Sequence, residues 1–155
     1  MDFADGVLLA LDLGAVRIGV AACDEQRILA YPVETLLVGD DIEDRIANLV
    51  EEYSAQALIV GYPIALDGKV GIAAQKIEHQ AQQLAARVSV PVWLVDERMS
   101  SAEAHNKLRS AGRNAKKSRD VVDAQAAVGI LELVLYALRQ GYTIGREVEI
   151  EEAHG

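Results

Sequence analysis

Apolar positions in the first third of the chain come in strand-like runs. Val7 to Leu13 and Arg17 to Cys23 read as two strands joined by a turn at Gly14. Ile28 to Leu37, rich in β-branched and aromatic residues, reads as a third. Three sequential strands with short links predict an antiparallel meander. The periodicity then changes. In "DDIEDRIANLVEEYS" Ile42, Ile46, Leu49, Val50 and Tyr53 recur at helical spacing, with Asp40 and Glu43 placed as N-cap and N3. A strand "ALIVGYP" follows, then a loop "PIALDGKVG", then a helix to about Val88 whose Ile77, Ala81, Leu84, Ala85 and Val88 share a stripe. After Pro91 the run "VWLV" reads as a buried strand ending at Asp96, Glu97 and Arg98. Ser100 and Glu103 have capping-box spacing and open a helix to about Ala111. The polar loop "GRNAKKS" then precedes a last helix from about Arg119 to Gln140. The predicted architecture is α/β: a meander followed by βα units, whose right-handed crossovers build a central mixed five-stranded sheet flanked by helices.

Composition fits one domain, residues 1–142, followed by an acidic tail at 143–155 that reads as an edge strand or as partly disordered. The chain has 155 residues, 51% of them hydrophobic, enough for one sizeable core. No apolar run reaches the roughly 18 residues a bilayer span needs, and "MDFADG" is acidic where a signal peptide is basic, so the expectation is a cytoplasmic protein without membrane partners. Cys23 is the single cysteine and suits a small buried hydrophobe. His79, His105 and His154 have no ligand-pair spacing. Trp93 reads as core.

Net charge changes the picture only when its distribution is followed. The total of −9 argues against nucleic acid, but Arg98 to Arg119 carries seven basic residues against Glu103 alone, a local +6 that leaves −15 elsewhere. An acidic globule with one anion-binding face is the pattern this suggests, since phosphate contacts depend on local charge. An ordinary solvated helix and loop is the plainer reading.

The candidate chemistry is carboxylate. Asp12 stands among leucines late in the first strand, where an ionised acid is costly unless paired or bound to a metal. Glu97 closes the last predicted strand. In the final helix Asp120, Asp123, Ala127, Ile130 and Val134 fall on one row, so two acids precede an apolar stripe that should face the sheet. Ligands of such sheets sit at the carboxyl ends of parallel strands, where Asp12, Glu97 and Asp123 could converge. Converging carboxylates repel unless a hard cation such as Mg²⁺ or Mn²⁺ holds them, and two such ions support phosphodiester hydrolysis without a histidine base. Taken singly, each acid has a structural reading: a turn residue for Asp12, a partner of Arg98 for Glu97, a helix-dipole acid for Asp123.

Four stretches, "LALDLGAVRIGVAACD", "LIVGYPIALDG", "VWLVDERMSSAEA" and "VVDAQAAVGILELVL", resemble in order and spacing the motifs of the YqgF family of bacterial Holliday-junction-resolvase-like proteins, over about Val7 to Tyr142. The resemblance implies an RNase H-like fold. It also implies a metal-dependent nuclease that processes the 5′ end of pre-16S rRNA in ribosome biogenesis or resolves Holliday junctions in DNA. The partner would be pre-rRNA or branched DNA and the state a monomer or homodimer. By the same resemblance Asp12, Glu97 and Asp123 are the catalytic, metal-binding acids. Arg17 and Arg98 would hold a phosphate or orient the acids, and Arg113, Lys116, Lys117 and Arg119 would track a nucleic-acid backbone. Two positions depart from the pattern: Ala15 replaces a frequent hydroxyl residue, and Ser101 a frequent threonine. Two other readings stand beside the nuclease. A phosphate loop of actin- and sugar-kinase-like ATPases also begins Asp-x-Gly, but needs a second domain and usually a hydroxyl after the glycine. A non-catalytic nucleic-acid-binding adaptor would retain the fold alone.

Overall fold

The computed structural model describes residues 3–62, 71–96, 119–141 and 143–149, with the backbone alone over 119–123. The meander forms as the apolar pattern requires: β1 (Leu8–Leu13) pairs antiparallel with β2 (Arg17–Cys23), and β2 with β3 (Ala30–Leu37). After α1 (Ile42–Glu52), β4 (Ala57–Tyr62) adds parallel to β1. After α2 (Ile72–Arg87), β5 (Val92–Asp96) adds parallel to β4. The chain continues through α3 (Arg119–Gln140) to β6 (Gly145–Glu147), which pairs antiparallel with β5. The sheet has six strands in the order β3-β2-β1-β4-β5-β6, one more than the five expected. The addition comes from the start of the acidic tail, where Arg146 donates to Glu78 of α2 at 2.7 Å and lies 5.8 Å from the centroid of the Tyr62 ring. Two partners across the sheet edge offset the poor strand propensity of "GRE".

Each strand alternates between two cores. Leu9, Leu11, Val20, Leu58, Val60 and Leu94 face α1 and α2, while Leu8, Ala10, Ala21, Cys23, Ile59 and Val95 face α3. In α3 the stripe read from the sequence is the buried one: Ala127, Ile130 and Val134 are all within 3% of full burial. Cys23 belongs to this second core, accepting the Leu8 amide at 3.2 Å, and burial pushes its thiol pKa up, as suits an inert packing residue. Trp93 is half-buried against the same core, edge-on to Phe3. Among the described residues no helix is long and apolar enough to cross a membrane.

One expected detail is corrected. The N-cap of α1 is Asp41 rather than Asp40, and its side chain makes no capping hydrogen bond. Instead the Ile42 amide donates to the Gly39 carbonyl, and the Asp41 carboxylate lies 3.8 Å from Arg45.

The β2–β3 connection is held by an acid. Asp24 Oδ1 accepts the amides of Ile28 at 2.8 Å and Leu29 at 2.7 Å. These bonds, the Leu29 amide first, hold its pKa below the usual carboxylate value. The folded form therefore favours the ionised acid, and the contribution is complete above the unfolded-state pKa and lost as pH falls through the lower folded one. Asp24→Ala should be less stable than the parent at neutral pH, with the two thermal midpoints converging as acid protonates the parent carboxyl. A constant difference down through the carboxylate range would show that ionisation of Asp24 plays no part.

Candidate functional site

Asp12 stands where the burial of β1 changes. Leu8, Leu9, Ala10 and Leu11 are fully enclosed, whereas Asp12 and Leu13 are half-buried. Following Leu8 and Ala10 by alternation, Asp12 lies on the α3 face of the sheet, at the carboxyl edge of the parallel strands. A charge is tolerable there because water and counter-charges reach a group that is only partly enclosed. No charged side chain is buried among the described residues, so Asp12 marks the mouth of the core rather than its interior.

Its neighbours across the sheet are small. Gly19 of β2 is its register partner, and Gly61 is the next position of β4 after the Leu11–Val60 pair. Ala10 pairs with Ala21 one row deeper, and α3 presents fully buried Ala127 and nearly buried Ala124. Small residues on both surfaces let a helix lie close to a sheet, as the position of Ala127 in the sequence suggests.

The polarity of α3 is fixed at its other end, where the Arg139 guanidinium donates to the carbonyls of Arg27 and Ile28, both at 3.4 Å. Those residues connect β2 to β3 beyond Cys23, the end of the sheet where β1 begins. From Arg139 back to residue 123 the helix rises about 24 Å, and from Leu8 to Asp12 the strand spans about 13 Å. The first turns of α3 therefore arrive at the edge that carries Asp12, with the positive end of the helix dipole toward it. A cavity of about 350 Å³ lined by Gln26, Arg27, Ile28, Leu135, Leu138 and Arg139 lies at the opposite end of α3 and has no part in this edge.

Arg17 comes to the same edge and face. It lies two residues from Gly19 on β2, and a diagonal neighbour in an antiparallel pair is about 7–8 Å away, within reach of a guanidinium. Asp96, the last residue of β5 and register partner of Tyr62, reaches that edge too. Glu97, Arg98, Arg113, Lys116 and Lys117 lie outside the described residues, as do the helix expected from Ser100, Pro63 with the loop after it, and the side chains of Asp120, Asp123 and Arg119. Among the described residues no three His, Cys, Asp or Glu side chains form a metal-binding group. Asp12 and Arg17 are the expected site residues whose side-chain placement is described, and the fold brings them together.

The hairpin carrying both depends on one glycine. The Gly14 amide donates to the Arg17 carbonyl at 2.9 Å, and a Cβ at Gly14 would lie 2.5 Å from that oxygen. The close approach, not an unusual φ, demands glycine here. Gly14→Ala should force the turn open and cost about 1–3 kcal/mol, the range of a local overpacking. It should lower the thermal midpoint by several degrees and disturb Asp12 and Arg17 together. An unchanged midpoint in calorimetry would show that the turn absorbs the methyl group.

Comparison with known proteins adds three findings. Residues 6–137 match the family described as "RuvX: Holliday junction resolvase". A Cutibacterium acnes protein named "Putative pre-16S rRNA nuclease" is 47% identical over 137 residues, covering 88% of this chain and 86% of its own. A Streptomyces avermitilis protein of the same name is 44% identical over 155 residues, covering 97% and 99%. Among solved structures, "T. thermophilus RuvC in complex with Holliday junction substrate" superposes with a TM-score of 0.61 at 14% identity, covering 91% of this chain and 99% of that one, a likeness of fold.

Proposed function

The chain belongs to the RuvX Holliday junction resolvase family, and from that premise we propose that it is a divalent-metal-dependent endonuclease that hydrolyses phosphodiester bonds in structured nucleic acid, its task the 5′-end processing of pre-16S rRNA in the cytoplasm. The observation that carries this reading is Asp12: a half-buried carboxylate at the carboxyl edge of the parallel strands, under the first turns of α3 and diagonal to Arg17.

The residues fit a hard cation. Asp12 offers carboxylate oxygen at the rim of an otherwise apolar face. Glu97, one residue past Asp96, and Asp123, in the early turns of α3, would add oxygen of the same kind, the donor set Mg²⁺ or Mn²⁺ prefers. Bound by these three acids, such ions supply Lewis-acid stabilisation of the charge that grows on the phosphoryl group. The protein's own part is positional. Arg17 pairs with a phosphate beside the acids, and Arg98, Arg113, Lys116, Lys117 and Arg119 follow the backbone without reading bases. Water adds across the P–O bond, leaving a phosphate monoester on one fragment and a hydroxyl on the other.

Junction resolution in DNA is the second reading, favoured by the family's description and the RuvC-like fold. It needs two coordinated cuts and hence a homodimer, whereas trimming a precursor RNA proceeds on a monomer. The deciding experiment is a side-by-side cleavage assay on a pre-16S rRNA 5′ fragment and a four-way DNA junction, with the mass of the active species measured in parallel. Cleavage of the RNA by a monomer supports the processing reading. Paired nicks in the junction by a dimer would replace it, and metal-dependent binding without cleavage of either would leave the adaptor.

A further inference from the structure

The pairing of β3 with β2 contains an irregularity at the height of the site. Ala21 stands opposite Pro32, but the next residue of β2, Val20, stands opposite Glu34. Val33 is the extra residue and packs against the α1/α2 core. Such a bulge changes which residues of the strand point to which face. In an unbroken register Glu34 would stand opposite Gly19. With the bulge Thr35 stands there, and Glu34 pairs with Val20 on the other face, exposed at the sheet edge.

Gly19 is in turn the partner of Asp12, so Thr35, Gly19 and Asp12 form one row across three strands on the α3 face. The outer two are about 10 Å apart at Cα, two strand spacings, with no side chain between them. The electrostatic consequence is direct. A glutamate on this row would place a second negative charge facing any phosphate that approaches Asp12, whereas threonine supplies a neutral hydroxyl donor in a half-buried setting, where hydrogen bonds are stronger than in water. Bulges beside active sites commonly re-aim one side chain in this way.

We propose that Thr35 is a substrate-binding residue whose hydroxyl donates a hydrogen bond to a non-bridging oxygen of a nucleic-acid phosphate held beside Asp12. The assignment rests on the reading of Asp12 as part of a nuclease site. The hydroxyl holds the backbone in place and takes no part in the proton or bond changes, so its loss weakens binding rather than turnover.

The test uses the full chain and cleavage kinetics on the pre-16S rRNA fragment and the four-way junction, with Asp12→Asn alongside. Thr35→Val keeps the branched shape and removes the hydroxyl. It should raise KM about tenfold, the scale of one hydrogen bond to a charged group, with kcat within about threefold. Thr35→Ser should restore most of the lost affinity. An unchanged KM in Thr35→Val, a loss confined to kcat, or failure of the serine to rescue would each overturn the assignment while Asp12→Asn remains inactive. Undiminished cleavage by Asp12→Asn would instead remove the nuclease site, and the role of Thr35 with it.

Discussion

Asp12→Asn is expected to lower metal-dependent turnover by about 10²–10³-fold, the scale on which removal of one preorganised electrostatic element acts, while leaving the fold intact. The substitution exchanges one carboxylate oxygen for an amide nitrogen of similar size at a half-buried position, so packing against the small residues of the neighbouring strands is kept. What is lost is negative charge where it would hold a cation. A chelator should accordingly silence the parent protein, and added Mg²⁺ or Mn²⁺ should restore it. Divalent metal should also raise the thermal midpoint of the parent, because a ligand that binds only the native state stabilises it, and raise that of the variant less. Full cleavage by the purified variant would mean that the acid at the mouth of the second core serves structure alone. A metal-dependent midpoint with no cleavage of either nucleic acid would point to the adaptor.

Leu131→Ala carries the largest expected cost in stability, about 2–5 kcal/mol. Leu131 has no exposed surface and sits in the core between α3 and the sheet, beside residues such as Leu8, Ala10 and Ile59. Its truncation leaves a cavity in an interface whose small partners are already in close contact and cannot easily move in to fill it. Against a typical total of about 5–15 kcal/mol, the loss is a large share. At about 2–4 °C per kcal/mol for a chain of this size, the midpoint should fall by roughly 4–20 °C. The loss should reach activity as well, because the same helix would bring Asp123 to the edge. Leu84→Ala, in the α1/α2 core on the other face, offers the contrast: a comparable loss of stability with activity per folded molecule preserved. A drop under 1 kcal/mol for Leu131→Ala in denaturant unfolding would show that the α3 interface repacks freely.

The elements were legible in the sequence because their signals are local. Alternation and helical stripes place β1, β2, β4, β5, α1, α2 and α3 close to where they stand, and even the small residue at Ala127 signals close approach of helix and sheet. What was not legible depends on partners distant in the chain. The tail carried two readings, edge strand or partial disorder, and the choice between them rests on Glu78 and Tyr62 of other elements, which hold the three residues of β6 at the sheet edge. The cap of α1 lies one residue later, at Asp41, and the Ile42 amide bonds the Gly39 carbonyl, a backbone contact that no residue pattern announces. The bulge at Val33 is the clearest case. Simple alternation from Ala30 puts Glu34 on the face of Asp12, and only the register with β2 reveals that Thr35 is there instead. Of the three expected acids, Asp12 was marked by its placement among leucines, and the fold accounts for that oddity: the leucines are the core and Asp12 is its rim.

The close contact between α3 and β1 joins the beginning of the chain to its last helix, 8–13 to 119–140. During synthesis at about 5–20 residues per second, the meander leaves the ribosome several seconds before α3 can. A nascent chain thus carries Asp12 without the helix that completes its surroundings. By this topology the surroundings of Asp12 are completed only once synthesis has reached the last helix, so the rim of the second core is assembled from the two ends of the chain.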